Sequence, residues 1–468
     1  MSANRLAPRK APGLEIPQRA LVVGFARTGQ AVARVLGELG VSVVALDDHP
    51  PVGASARAGA LGVELVERPS PELVGRLGAD AELVVVSPGV PPGHPVFAAT
   101  GPVRPVSEIE LAYRLAEVPI VAVTGTNGKT TVASLVAEML VASGVSAAAA
   151  GNIGYPLVEA VRRPGLEVVV AEVSSFQLAL IETFRPSVAT WLNLAEDHLD
   201  WHGDLDHYVR SKARIWANQE ADDVAVANAE DPVVAEAARA ARGRVLTFGL
   251  AVGDYRRDGG RLVGPDGREL VSIAELSRDL PHDVTNALAA LATAVAAGAT
   301  ADGCTTALRN AKPLAHRVEL VGRVGDVAYY DDSKATTPSA VAAALAGFEA
   351  VVLIAGGRNK GLDLGALRRG AEAGGARRVR AVVAIGEAAA EVAAAFDGYT
   401  VVGADSMQAA AAEAQRLARP GDAVLLSPGC ASFDWYASYE ERGQDFVRAV
   451  RRLGVRPADG SLAPAAGG

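Results

Sequence analysis

Two cysteines in 468 residues, aromatics at 5% and no excess of basic charge set the first limits on this chain. Cys304 and Cys430 stand far apart and form no disulfide framework, so a reducing cytoplasm is the expected location. No run of about 18 uncharged apolar residues occurs, and membrane insertion is not expected. The basic stretch MSANRLAPRKAPGLEIPQ is followed only by the short strand-like LVVGF, so it lacks the apolar core of a secretory signal. A net charge of −9 argues against nucleic-acid binding through a general basic field, while small anionic ligands held at specific loops stay compatible. What the chain does have is 50% hydrophobic residues, chiefly small and β-branched, and 49 glycines. That composition fits many βα units, and the length predicts about three domains.

Two further absences lie inside motifs. In VAVTGTNGKTTVASLV, residues 121–136, a strand-like run breaks at a glycine-bearing loop and resumes at helical spacing through Val132, Leu135, Val136, Met139 and Leu140. This is the strand–loop–helix context of a P-loop. The full pattern G-x-x-x-x-G-K-[ST], however, would place a glycine where the chain has Val123. Backbone amides of Gly125, Thr126, Asn127 and Gly128 would face phosphate oxygens, with Lys129 reaching the β and γ groups and Thr130, followed by Thr131, near Mg²⁺. Near the N-terminus, ALVVGFARTGQAVARVLGELGVSVVALDDHP reads as strand, turn, helix, strand. Gly24 and Gly29 frame the turn and Asp47 ends the second strand, but Ala26 replaces the middle glycine of G-x-G-x-x-G. A Rossmann-like nucleotide site and a plain βαβ unit both fit.

Acidic residues end other apolar runs. Glu172 closes LEVVVAE, followed by Ser174, Ser175 and Gln177, and Asn193, Glu196, Asp197 and His198 follow VATWL. One or two carboxylates at strand ends suffice for Mg²⁺. His198, His202 and His207 invite a zinc reading, yet Leu199 stands where a metalloprotease helix needs glutamate, no cysteine is near and Gly203 interrupts the helix. From about Leu314 on, apolar runs alternate with polar loops carrying Lys334, Lys360 and Ser432, as in a doubly wound sheet. With Arg317 these form a cationic mouth for a carboxylate or phosphates. The expected architecture is α/β in three domains. Residues 1–107 are Rossmann-like, 108–313 form a P-loop ATPase-like domain, and 314–468 form a second Rossmann-like domain ending in a disordered tail from Ala458.

In order along the chain, SPGV, TGTNGKTT, GNIG, EVSSFQL, NLAEDHLD, YVRSKARIW, TNALAAL, HRVELV, DDSKATTP, IAGGRNKG and SPGCASFDWYASYEERG resemble the Mur ligases of bacterial cell-wall synthesis. DDSKATTP and SPGCASFD are similar to the D-glutamate-adding member, and the loop without its first glycine is the family's own form. The resemblance implies ATP-dependent formation of an amide bond between UDP-N-acetylmuramoyl-L-alanine and D-glutamate through an acyl phosphate, in a monomeric cytoplasmic enzyme. It implies two Mg²⁺ ions near Thr130, Glu172, His198 and a carbamylated Lys212, with Lys129, His198, Lys212 and Lys334 as catalytic residues. Asn286, Arg317 and Asp332 resemble ATP contacts, and Thr28, Asp47, Asp48, Ser87, Asn152 and Gln177 resemble UDP-sugar contacts. Thr336, Lys360, Ser432 and Tyr439 resemble D-glutamate contacts, the last a tyrosine where the family pattern has phenylalanine. Apolar neighbours Tyr208, Val209, Ile215 and Trp216 imply a buried Lys212, and burial disfavours the ammonium that would resist carbamylation. The alternatives are a sibling ligase with another amino acid or acceptor, including a folylpolyglutamate synthase-like enzyme, and an ATP-binding regulator without chemistry.

Overall fold

The alternation of apolar runs with glycine-bearing loops produces three sheets. The computed structural model describes Leu6 and residues 15–99, 103–375, 377–454 and 456–457. The tail from Ala458, expected to be disordered, lies outside the described residues.

The first sheet is wholly parallel, in the order β3-β2-β1-β4-β5. Its strands are β1 (Arg19–Val23), β2 (Ser42–Asp47), β3 (Glu64–Glu67), β4 (Leu83–Val86) and β5 (Val106–Ser107). β4, LVVV, is buried at every position, as a central parallel strand covered on both faces requires.

The second sheet has nine strands: β6 (Ile120–Thr124), β7 (Ala147–Gly151), β8 (Val168–Glu172), β9 (Val188–Trp191), β10 (Val224–Asn228), β11 (Arg244–Gly249), β12 (Tyr255–Asp258), β13 (Arg261–Val263) and β14 (Glu269–Ser272). Their order is β14-β13-β12-β11-β10-β9-β6-β8-β7. Only β13 pairs antiparallel, with β12 on one side and β14 on the other. In register, β8 brings Glu172 beside Val123 and β9 brings Trp191 beside Thr124, so both neighbours end level with the P-loop.

The third sheet comprises β15 (Glu319–Val324), β16 (Val327–Asp331), β17 (Val351–Gly356), β18 (Val379–Ile385), β19 (Thr400–Ala404), β20 (Ala423–Gly429) and β21 (Arg456–Pro457). The order is β19-β18-β17-β20-β16-β15-β21, parallel from β19 to β16 and antiparallel beyond.

Two compact units contain these sheets. The first comprises residues up to Leu194, Trp201–Leu276 and Thr285–Ala311, and the second Ala195–Asp200, Ser277–Val284 and the residues from Lys312 on. In the first unit one apolar core runs through both sheets, including Leu36 and Ile109 as well as Trp191 and Trp216. In the second unit Val351, Leu353 and Leu425 pack on one face of the sheet, and Val352, Ile354 and Leu426 on the other. That alternation along β17 and β20 is the period of two expected of a sheet with helices on both sides. Among the described residues no helix is long and apolar enough to cross a membrane.

Candidate active site

The loop after β6 explains the missing glycine. Val123 is fully buried inside the strand, and the loop is braced from β9's end instead of by a turn at that position. Asn193 Oδ1 accepts from the amides of Thr126 (3.1 Å) and Asn127 (2.9 Å), and its Nδ2 donates to Asn127 O at 3.1 Å. Gly128, at φ 84°, caps the helix Lys129–Ala142, and a Cβ there would lie 2.5 Å from Asn286 Oδ1. This position therefore needs glycine on two counts, conformation and space. The same contact places Asn286 against the phosphate-type loop. Lys129 Nζ donates to Gly125 O and Thr126 O, both at 2.9 Å, which lays the ammonium along the loop. Thr130 and Thr131 occupy the first turn of the helix.

Glu172, at the end of β8, is almost fully buried and joins two other sequence-predicted residues. It accepts from Thr130 Oγ1 at 2.9 Å and from Asn152 Nδ2 at 3.0 Å. Lys212 is 1% exposed, donates from Nζ to Gly125 O at 2.7 Å, and sits 4.7 Å from the Tyr208 ring centroid. Tyr208 in turn shares a hydrogen bond with Thr126 Oγ1. Lys212, which sequence places far from the loop, is thus brought onto it. His202 and His207 serve packing: His202 Nε2 pairs with Ser175 Oγ at 2.9 Å, His207 Nδ1 pairs with the His202 carbonyl, and both rings pack on Trp201.

At the carboxyl edge of the first sheet lies a cavity of about 430 Å³. The loops after β1, β2 and β4 line it together with Asn152 from the loop after β7, bringing together Thr28, Asp47, Asp48, Ser87 and Asn152. Gly24, at φ 87°, lies against Ser87, whose Oγ donates to Gly24 O at 3.0 Å. Gln177 does not line this cavity; it caps its own helix by a reciprocal pair with Ser174. Arg27 and His94 line it too and were not singled out from sequence. The only local signal for His94 was its place in PPGHP just beyond β4.

Asp332 and its neighbours lie in the second unit. Asp332 is buried, accepting from Ser427 Oγ at 2.6 Å and from the Val318 amide at 3.2 Å. Burial pushes its carboxyl up to about 7 despite these bonds and Arg317 nearby. Arg317 sits between two left-handed residues, His316 (φ 60°) and Val318 (φ 48°). The turn is held by His316 Nδ1 on Asp331 Oδ2 (2.7 Å) and by Arg278 Nη1 donating to the Arg317 carbonyl (2.6 Å). His316 titrates above the usual imidazole range, chiefly because of the Asp331 hydrogen bond. Lys334 Nζ lies 3.6 Å from the Tyr439 ring centroid, a cation–π distance. Ser432 is buried, Thr336 and Tyr439 are half-buried, and Lys360 is exposed on the loop after β17. His198, at φ 56°, belongs to this unit's segment Ala195–Asp200, with Nε2 3.3 Å from Asp197 Oδ2.

Arg442 was missed from sequence. Its buried guanidinium donates to Ser333 Oγ, Ser333 O and Cys430 O at 2.8–3.1 Å, tying the loop after β16 to the loop after β20. Burial lowers its pKa to about 10. Nothing local marks an arginine in a charged helix as buried.

Residues 123–294 match the Mur ligase middle domain, and residues 316–430 match the Mur ligase glutamate ligase domain. A UDP-N-acetylmuramoylalanine--D-glutamate ligase of Desulfosudis oleivorans is 44% identical, over 93% of this chain and 96% of that protein. One of Pelotomaculum thermopropionicum is 43% identical, over 93% and 98%. Among solved structures, MurF from Acinetobacter baumannii superposes with a TM-score of 0.60 at 20% identity, covering 92% of this chain and 90% of that one. A pseudomurein peptide ligase type C from Methanothermus fervidus also gives 0.60 at 16% identity, covering 93% and 100%; at these identities the likeness concerns the fold. Near-full-length identity, both domain matches and the three parallel-rich sheets agree: this chain belongs to the Mur ligase family.

Proposed function

We propose that the chain is an ATP-dependent ligase that joins D-glutamate to UDP-N-acetylmuramoyl-L-alanine in peptidoglycan precursor synthesis. The observation that carries this reading is the 43–44% identity, over nearly their whole length, to relatives bearing that activity's name. A carboxylate oxygen of the L-alanine end attacks the γ-phosphorus of ATP and the bond to ADP breaks. The D-glutamate amine then attacks the acyl phosphate carbon, the tetrahedral intermediate expels phosphate, and the amine nitrogen loses a proton. Charge builds first on the transferring phosphoryl group, so preorganised donors there do most of the catalytic work.

On this reading the amides of Gly125 to Gly128, with Lys129, Thr131 and Asn286, hold the phosphates of ATP, and Arg317 and Asp332 are further ATP contacts. The residues present fit Mg²⁺: Glu172 and Thr130 offer oxygen donors already in contact, the ligand type a hard cation takes. When bound, the ion neutralises charge on the phosphoryl group. Lys212 is proposed as a carbamate for a second ion, formed when its neutral nitrogen bonds the carbon of CO₂ and sheds a proton, and His198 keeps the metal role that the resemblance implies. The cavity on the first sheet takes the UDP moiety through Thr28, Asp47, Asp48, Ser87 and Asn152, with Gln177 as a further sugar-nucleotide contact. Thr336, Lys360, Ser432 and Tyr439 bind D-glutamate, and Lys334 supports the reacting groups. A cytoplasmic monomer is the form in which we expect this activity.

Phosphate release from ATP, measured with each substrate left out in turn, tests the reading. Release should require both UDP-N-acetylmuramoyl-L-alanine and D-glutamate. Turnover with a different amino acid, or with a folate acceptor, would replace it by a sibling activity.

A further inference from the structure

The two carboxylates that close β2 do different jobs. Asp47 already accepts from the backbone, Oδ2 from the Phe25 amide at 2.6 Å and Oδ1 from the His49 amide at 2.8 Å. It builds the cavity wall. Asp48 keeps a 44% exposed side chain on the same cavity, and its Oδ2 lies 3.2 Å from Nε2 of His94. His94 itself is buried, with the Val96 amide donating to Nδ1 at 3.1 Å. An amide N–H can only donate, so Nδ1 must be unprotonated. The neutral ring therefore carries its hydrogen on Nε2, the nitrogen that comes within 3.2 Å of Asp48 Oδ2.

A carboxylate repels phosphate, so the Asp48 end of the cavity suits the uncharged half of a nucleotide, which offers hydrogen-bond donors. The diphosphate then lies toward Arg27 and the first turn of the helix Arg27–Glu38. We propose that His94 is a positioning residue that fixes Asp48 as acceptor for a donor on the nucleoside half of the UDP ligand, and that this pair sets nucleotide specificity. The inference rests on the sugar-nucleotide reading of this cavity. The donor is either the uracil imide N–H or a ribose hydroxyl.

Calorimetry with UDP, CDP and 2′-deoxy-UDP tests it, on wild type, His94→Ala, His94→Gln, Asp48→Asn and the His94→Ala/Asp48→Asn double variant. Loss of one charge-assisted contact should weaken UDP about tenfold in either single variant. The double variant should be no weaker than the weaker single, because both remove one interaction. His94→Gln, whose amide can still donate to Asp48, should recover most of the loss. In steady state the effect should fall on KM for the UDP substrate and leave KM for ATP in place. Weaker CDP binding that becomes equal to UDP in Asp48→Asn identifies the imide, and the same behaviour of 2′-deoxy-UDP identifies the ribose. Additive losses in the double variant, or no discrimination by wild type against either analogue, would overturn the proposal. If His94→Ala does not fold, Asp48→Asn and His94→Gln decide by the same comparisons. A wild type that does not bind UDP removes the sugar-nucleotide reading and this inference together, whereas UDP binding with additive losses removes the inference alone.

Discussion

Asp332→Asn separates burial from catalysis in the second unit. The carboxyl is held by Ser427 Oγ at 2.6 Å and the Val318 amide at 3.2 Å, yet burial lifts it to about 7. An ordinary aspartate titrates near 3.9, so holding this charge in the folded unit costs on the order of 4 kcal/mol. Below about pH 4 both the folded and unfolded states carry the proton. Between there and about 7 the unfolded chain has released it while the folded unit retains it. The stability that Asp332 contributes is therefore fully present at low pH and is lost as pH rises through about 7. Asparagine keeps an acceptor for Val318 and has no charge to bury. Its second unit should melt higher than wild type at pH 8 and nearly alike at pH 4.5. If the ionised carboxylate also accepts from ATP, wild-type kcat/KM for Mg²⁺-saturated ATP should carry an acid limb near 7. At about one pH unit below that value roughly a tenth of the sites are charged, an approximately tenfold loss. Asp332→Asn should give a low, flat profile. A flat wild-type profile from pH 6 to 8, or the same limb persisting in the variant, would refute the reasoning.

Other perturbations have equally direct readouts. Lys129→Ala should abolish phosphoryl transfer while leaving UDP affinity intact by calorimetry, because Lys129 lies along the P-loop and the cavity proposed for UDP sits on the first sheet. Lys360→Ala should raise KM for D-glutamate about tenfold or more, the usual consequence of losing a charge-assisted contact, with KM for ATP moving less. Lys212→Ala should lose most activity and regain part of it with small carboxylic acids; near-normal activity would remove the carbamate from the mechanism. Glu108 is buried against the Val158 amide (2.6 Å), and burial lifts its carboxyl to about 7. Its stabilising contribution is likewise lost as pH rises through that value, so Glu108→Gln should raise the melting temperature at pH 8 by several degrees and change little at pH 4.5.

The sequence by itself determined the local elements. Apolar runs such as VVVA, closed by Glu172, and LVVV had to become buried parallel strands, and the TGTNGKTT loop between a strand and an apolar-faced helix had to present its amides at a helix N-terminus. The α/β class and the βα alternation followed from those periods. Tertiary structure decided what the loops meet. Asn193 stands in for the absent glycine at Val123, and Lys212 reaches Gly125 across 87 residues. His94 Nε2 comes within 3.2 Å of Asp48 Oδ2, and Arg442 ties Ser333 to Cys430. Gln177, given by the resemblance as a UDP-sugar contact, also caps its own helix through Ser174. The reason is physical: burial patterns depend on neighbours a few residues away, whereas a hydrogen bond between two strand-end loops depends on strand order and register. Those are fixed only when whole sheets pack.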